Sequence, residues 1–494
     1  MPLVKLIGYA PDLDATTPGV ITNCVSLVPS TKGMVGARSP VNTAHSAMAA
    51  ACKGAVSLRK LDDSIRTFGG TATALYELGA SSWSDVTRAS GGAYALSADS
   101  RWRFAQFGDV SLAVAKSDII QYSNGSGAFA NVGGTAPKAA IVETVGQFVF
   151  LFNVNDQGSL GSFGDSPDRW WNGAVGSYTD WTPAIATQCS SGRLTATPGP
   201  IKAGKRFGKA VVAYKERSMY LGTYGGPPVP WDFSQIQGEA GALCQEAVVD
   251  IGTPEVPMHI FMGADDFWLY DGSRAARIGT PVKSTVFSEL NNTYRSAVIG
   301  MHDAEENLVR FWYPSASSYL PDKCVVYNYR TDRWGRDDRQ VEFAFAYSPP
   351  ALQYDDVGTL YATYADFPAS SYDTAFFSSG GFSPAIINTS HRLQTLSGAH
   401  AAGSWTTGDM GDDNLYVLLS RFKPRYVQKP DSAQMTNFYK QNLGDSLTTA
   451  ETVAMMDSRF DVLRSARWHR VLVEEAGDRE LTGFDVQIEE GSDE

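Results

Sequence analysis

Apolar and polar positions alternate along most of the chain in short bursts instead of recurring at helical spacing. The stretches FGGTATALYEL (68–78), FGDVSLAVAKSDIIQY (107–122), GQFVFLFNV (146–154) and FGKAVVAYKERSMYLGTY (207–224) each open on an aromatic residue or a glycine and continue with β-branched and aromatic residues. Clusters of Gly, Asn, Asp, Ser or Pro then stop them, as expected of strands closed by tight turns. One stretch departs from this pattern. PVKSTVFSELNN (281–292) sets Val282, Val286 and Leu290 at helical spacing and predicts a short helix between strand units, with Ser284 as N-cap.

The strand units repeat. Tyr76 stands seven residues before Trp83, Tyr122 seven before Phe129, and Tyr224 seven before Trp231. Looser versions surround Tyr270 and the pair Tyr329 and Trp334. Successive tyrosines are 46, 102, 46 and 59 residues apart, so the long interval hides one missing unit centred near Arg169–Trp171. That place is filled by SPDRWWNGAVGSYTDWTP (166–183), where Tyr178 and Trp181 stand in for the usual pair. Aromatics facing each other across a turn contribute roughly 0.2–1 kcal/mol per pair. Several short strands per 40–50 residues, repeated six or seven times, predict an all-β fold with a β-propeller of six or seven blades over 56–384. A β-sandwich array with coincidental spacing is the plainer alternative. Residues 1–55, rich in turn formers, read as an extended N-terminal arm or platform segment. From 385 to 494 the strands lengthen (LYVLLSRFKPRYV, NFYKQNL, RWHRVLVEEAG, LTGFDVQIEE), predicting a separate β-sandwich-like platform domain that ends in the acidic tail Glu489–Glu494.

Composition narrows the function classes. With 43% hydrophobic and 19% charged residues over 494 positions, the chain is ordered and long enough for several cores. Its formal charge of −12 argues against general affinity for nucleic acid, because phosphate binding draws on excess Lys and Arg. Cys24, Cys52, Cys189, Cys244 and Cys324 are odd in number and scattered, which disfavours a disulfide framework or zinc site and suits a reducing cytoplasm. The N-terminal MPLVKLIGYAPDLD lacks the apolar core of a signal peptide, and no run reaches the roughly 18–20 apolar residues of a membrane span.

Chemistry-bearing motifs are few. HExxH, GxSxG and GxGxxG do not occur. GPIKAGKR (199–206) approaches a phosphate loop, but Arg206 replaces the magnesium-binding Ser or Thr and a strand follows where a helix is needed. His45, His259, His302, His391, His400 and His469 lack metal-ligand spacing. The neighbours Asp265–Asp266, Asp337–Asp338, Asp355–Asp356 and Asp412–Asp413 would point to opposite faces of a strand, so turn formation suits them better than catalysis. GDMGDDN (408–414) lacks the ligand alternation of a calcium loop. Trp170, Trp171 and Trp181, beside Asp168, invite comparison with a carbohydrate platform, whereas the repeat assigns them to blade packing. Lys202, Lys205, Arg206 and Lys209, with Lys215 and Arg217, form one basic cluster. Arg421, Lys423 and Arg425 alternate along a strand and form another. Either is a candidate contact for a partner's acidic surface or for passing phosphates, or else a solvated strand face. No catalytic, cofactor or metal residue is expected.

The run KERSMYLGTYGGPPVPWDF, then GALCQEAVVDIG, FMGADDFWLYDG and YNYRTDRWGRDD, resembles the tail nozzle (tail hub) proteins of short-tailed bacteriophages. One branch of that group is called packaged-DNA stabilisation protein, and SFGDSPDRWWNGAVGSYTDWTP resembles its propeller region. The resemblance spans about residues 10–490 as a pattern of segments. It implies a propeller joined to β-rich platform domains, with six copies in a ring below the head-to-tail adaptor. That ring would continue the DNA channel, retain the packaged genome, support its ejection, and carry fibres, spikes or a plug. It implies a virion location after assembly in the host bacterial cytoplasm, and neither enzymatic activity nor a cofactor. The competing expectation is a glycan-binding or glycosidase-type propeller acting on the host envelope.

Overall fold

The computed structural model describes residues 3–134, 136–158, 163–348 and 382–490. Asp355–Asp356 and the end of the acidic tail, 491–494, lie outside the described residues. Five four-stranded antiparallel sheets follow one another along the chain, at 55–85, 103–131, 138–193, 203–236 and 248–277. A further four-strand unit, 299–336, opens a ten-stranded sheet. Another four-stranded sheet joins Phe343–Tyr347, Ser383–Ile387 and Leu393–His400 to Arg38–Asn42. The first strands of these seven units touch in order around a closed ring, with Phe343–Tyr347 meeting Ala55–Arg59. This is a β-propeller, and the units are blades 1 to 7 in that order. The all-β propeller with an added β-rich platform is as expected from the sequence.

Blades form where the sequence puts continuous apolar runs, because the inner strands are covered on both faces. Val110–Val114 is buried throughout, as is Phe148–Phe152. Two-residue turns at Gly108–Asp109, Gly146–Gln147 and Gly208–Lys209 close the first hairpins of blades 2, 3 and 4. Their glycines lie at φ of 57° to 61°, which a side chain would disfavour. Adjacent blades share cores: Leu112 and Val114 of blade 2 meet Leu151 and Trp171 of blade 3.

The second region is a two-layer sandwich. One layer is a seven-stranded sheet that includes Gly8–Tyr9, Val20–Val25, Gly403–Thr407, Ser432–Lys440 and Trp468–Ala476. The other is the far half of the ten-stranded sheet, where Leu27–Pro29 pairs with the outer strand of blade 6. The sheet then continues through Met34–Gly36, Glu480–Glu490, Val417–Gln428 and Phe460–Ala466. Trp405, Phe422 and Phe484 fill the space between layers, their ring centroids 5.0 to 6.1 Å apart.

Three sequence expectations change here. The N-terminal segment is no free arm, since Val4–Gly36 is woven into the sandwich and Arg38–Asn42 supplies the outer strand of blade 7. The expected boundary at 384/385 falls inside blade 7, and the C-terminal share of the sandwich starts at Gly403. The reason is ring closure: the last blade has no following strand to cover its edge, so the chain start pairs there instead. Finally, the helix Lys283–Glu289 buries Val282, Val286 and Leu290 as its spacing requires, but Ser284 lies inside the first turn. The carboxylate of Asp12 caps it from the N-terminal segment, accepting from the backbone N–H of Ser284 (2.5 Å) and Thr285 (3.0 Å).

Candidate functional site at the propeller axis

The seven first strands converge on the propeller axis, where their residues line an open cavity of about 290 Å³. Phe104, Val142, Met301 and Phe345 supply its apolar lining; Arg103, Glu143, Lys205, Glu246, Asp250 and His302 supply its charge. That volume holds a handful of waters, not a polymer strand.

One ion pair spans the axis. Arg103 of blade 2 grips Glu246, just ahead of blade 5, through two hydrogen bonds (Nε–Oε1 2.8 Å, Nη2–Oε2 3.1 Å) and donates a third to the carbonyl of Ala140 (2.8 Å). Burial alone would raise the Glu246 carboxyl, but Arg103 and Arg101 outweigh it and hold it down at about 2. Gln245 holds the first strand of blade 4, Ala203–Phe207, by accepting from the Gly204 N–H (2.7 Å) and donating to the Gly204 carbonyl (2.9 Å). A Cβ at Gly204 would come within 2.2 Å of the Phe152 ring. Close packing of blade 3 on blade 4 thus accounts for the glycine of the near-phosphate loop.

On the same lining, Glu143, half-buried, and Asp250 at the solvent side are both pushed above the usual carboxyl range by loss of solvent around them, which Lys205 only partly offsets. His302 is lowered by burial and shares a hydrogen bond with the Tyr329 hydroxyl (3.1 Å). These groups compensate one another across the axis, and the sequence offers one signal for them: isolated charges inside apolar first strands, as in KAAIVETV (138–145). Behind the axis, His259 is fully buried and neutral. Its Nδ1 accepts from the Tyr214 hydroxyl (2.6 Å), its Nε2 donates to the Arg206 carbonyl (2.8 Å), and burial drives it down to about 3.

The aromatic repeat marks one place in successive blades, although its members seldom form the expected pair. Tyr76, Tyr122, Tyr224 and Tyr270 lie on third strands, and Tyr329 sits just past one. Trp83, Trp231 and Trp334 lie on fourth strands, with Phe129 immediately before one. Tyr224 and Trp231 stand opposite in register with rings 5.5 Å apart. Tyr122 instead meets Tyr178 of blade 3 (5.3 Å), and Phe129 meets Phe68 of blade 1 (5.1 Å). Tyr76 and Trp83 lean on the core of blade 7, while Tyr270 packs on Phe207 (4.9 Å). In blade 6 the seven-residue partner of Trp334 is Tyr327 (4.6 Å), which the spacing itself could have identified.

In blade 3 the third strand is Asp165–Asn172, so Trp170 and Trp171 hold the repeat position, and Tyr178 and Trp181 belong to the loop that follows. Trp171 and Trp181 are fully buried; Trp170 is 7% exposed, with Phe233 of blade 4 at 4.6 Å. As strand neighbours, Trp170 and Trp171 face opposite sides and fill two different inter-blade cores. They present no platform to a sugar.

The basic residues do not gather into a patch. Lys205 faces the axis, Lys202 is half-buried, Arg206 and Lys209 are exposed near a hairpin turn, and Lys215 is buried with its Nζ donating to the Leu194 and Thr197 carbonyls. Arg421, Lys423 and Arg425 do share a strand face. Arg421 pairs with Asp461 (2.8 Å), Arg425 pairs with Asp485, and Lys423 lies opposite Asp485 in register. The stripe is largely neutralised. Among the described residues no group of His, Cys, Asp and Glu is placed to hold a metal ion, no helix is long and apolar enough to cross a membrane, and all five cysteines are free and buried.

No known family profile matches the sequence, and no curated protein matches it. Among solved structures, the chain is similar to the WD40 domain of Neurospora crassa Pan2 at 7% identity, covering 70% of this chain and 89% of that one with a TM-score of 0.37. It is also similar to an exo-β-1,3-galactanase from Phanerochaete chrysosporium at 10% identity, covering 91% and 100% with a TM-score of 0.28. Likeness at this level concerns the fold alone.

Proposed function

We propose that this chain is a structural component of a short-tailed bacteriophage tail, a nozzle subunit without catalytic activity. Six copies would form a ring beneath the head-to-tail adaptor. The observation that carries the reading is the ten-stranded sheet, which runs without a break from blade 6 into the sandwich through strands from both ends of the chain. A sheet shared in this way makes propeller and sandwich one rigid block, as a wall element under internal pressure requires. The residue resemblance to nozzle proteins supports the same reading. So does the net charge of −12, because an acidic wall repels passing DNA and favours fast exit. With an axial cavity of only about 290 Å³, DNA would pass through the centre of the ring and not through any one propeller. The platform, the propeller rim or both would meet the adaptor and the fibres, spikes or plug. Electron microscopy of virions and of the purified chain tests this: a six-fold ring with an open centre is expected, whereas dispersed monomers with glycosidase activity would overturn it.

A further inference from the structure

The loops that lead into the first strands of blades 1, 2, 6 and 7 surround a cleft of about 620 Å³, within the range of about 300–1,000 Å³ typical of ligand sites. Two cations lie in it. Lys53 is anchored by Nζ hydrogen bonds to the carbonyls of Ser97 (2.9 Å) and Ala98 (2.8 Å). Arg101 is anchored by its Nη2 on the Ala297 carbonyl (3.0 Å), with its guanidinium 5.6 Å from the Phe343 ring. The Arg101 Nη1 is buried and has no acceptor among the described residues. Burial and the nearby Arg101 both lower the pKa of Lys53, so the two cations oppose each other.

The carboxylate best placed to balance them is already engaged. Glu342 accepts from the Cys52 N–H (2.8 Å) and from His391 Nδ1 (2.7 Å). Glu246, whose charge Arg101 also feels, is held by two hydrogen bonds from Arg103; on the cleft wall this leaves Asp99, exposed at the rim. Above the cations, Tyr294 and Tyr319 are 38% and 65% exposed, and their rings meet edge-on at 6.4 Å. Apart from these rings the wall is built of alanines, Leu320 and polar side chains, with no deep apolar socket for a hydrophobic anchor.

We propose that this cleft binds an acidic oligosaccharide, with a sugar carboxylate or phosphate held between Lys53 and Arg101 and a pyranose ring against Tyr319 and Tyr294. Lys53 Nζ keeps one donor beyond its two carbonyl bonds, and it faces a second cation, Arg101, so the pair calls for an anion. Charge-assisted hydrogen bonds to a carboxylate or phosphate are the strong ones. Amphipathic aromatic rings suit a ligand with C–H faces and hydroxyl edges. This site lies away from the buried tryptophans of 166–183, and the inference stands independently of the nozzle reading.

The experiment is isothermal titration of the full chain with trigalacturonate as the carboxylate probe, glucose 6-phosphate as the phosphate probe and maltotriose as the neutral control. At least one acidic probe is expected to bind saturably, and whichever does identifies the anion, while maltotriose does not bind. Lys53→Gln should weaken binding by about tenfold or more, and Tyr319→Ala by about tenfold. Tyr319→Ala should keep the wild-type melting temperature, and Lys53→Gln, which gives up the bonds to the Ser97 and Ala98 carbonyls, should lower it by a few degrees while the chain stays fully folded at the titration temperature. Three results would each overturn the proposal: neither acidic probe saturating below about 10 mM, maltotriose binding as tightly as the acidic probes, or Lys53→Gln binding like wild type.

Discussion

Blades 2 to 5 and the joint around blade 7 are built by opposite means. Each of the former is four consecutive strands, and its packing partner is the next blade along the chain. The joint collects three distant segments: Arg38–Asn42 closes blade 7, Val4–Gly36 threads the sandwich, and Glu480–Glu490 pairs with Val4–Lys5 and Met34–Gly36 of that thread. Arg479, fully buried, ties these segments together. It donates to the carbonyls of Ala401 (2.7 Å), Gly477 (3.3 Å) and Ser26 (3.1 Å) and pairs with Glu475 at 3.1 Å. Gly403 is a glycine because a Cβ there would lie 2.2 Å from the Arg479 guanidinium. The difference teaches where specificity resides: repeated local hairpins build the ring, whereas a buried polar rivet locks ring to platform.

The largest expected effect is at that rivet. Arg479→Ala leaves Glu475 buried without its counter-charge and should cost about 3–5 kcal/mol in urea unfolding, splitting the transition as the sandwich releases first. A loss below about 1 kcal/mol would show that the joint is held elsewhere. Trp171→Ala, within the blade 2–3 core, should cost a similar about 3–5 kcal/mol. Its hydrogen-exchange signature should stay within blades 2 and 3, leaving the sandwich protected; protection lost across the whole chain would erase the contrast between the two regions.

A smaller effect concerns acid. His259 in the fold resists protonation down to about 3, whereas the unfolded chain takes up that proton near the ordinary imidazole value of 6.5. Between these values the unfolded state binds more protons, so stability falls as pH drops, by about 1.4 kcal/mol per pH unit at full effect. His259→Gln should flatten that slope by about one proton; an unchanged slope would place the acid sensitivity in other groups. The smallest change is Asp12→Ala, expected to cost about 1 kcal/mol by uncapping the helix Lys283–Glu289, while Ser284→Ala leaves stability within about 0.5 kcal/mol. Equal effects of the two would return the cap to Ser284.

Much of the ring could be read from residues alone. Strand runs, Gly-centred turns, the tyrosine at the end of successive third strands and the helical spacing of Val282, Val286 and Leu290 are local properties, and local chemistry sets them. The spacing of aromatics placed them in the fold correctly but not against their partners, because a strand position states only which face a side chain takes. Whether Tyr122 meets Phe129 or Tyr178 depends on the blade that covers that face. The same holds for Trp170 and Trp171, whose company of acids suggested a ligand site until neighbouring blades were seen to bury them. Tertiary structure alone decided that Asp12 caps a helix some 270 residues away, that Arg103 meets Glu246 across the axis, and that residues 38–42 close the ring. Each joins groups far apart in sequence, and no periodicity along the chain encodes such a meeting. It follows from ring closure, which leaves the last blade's edge, and the charges at the axis, to be satisfied by whatever the fold brings near.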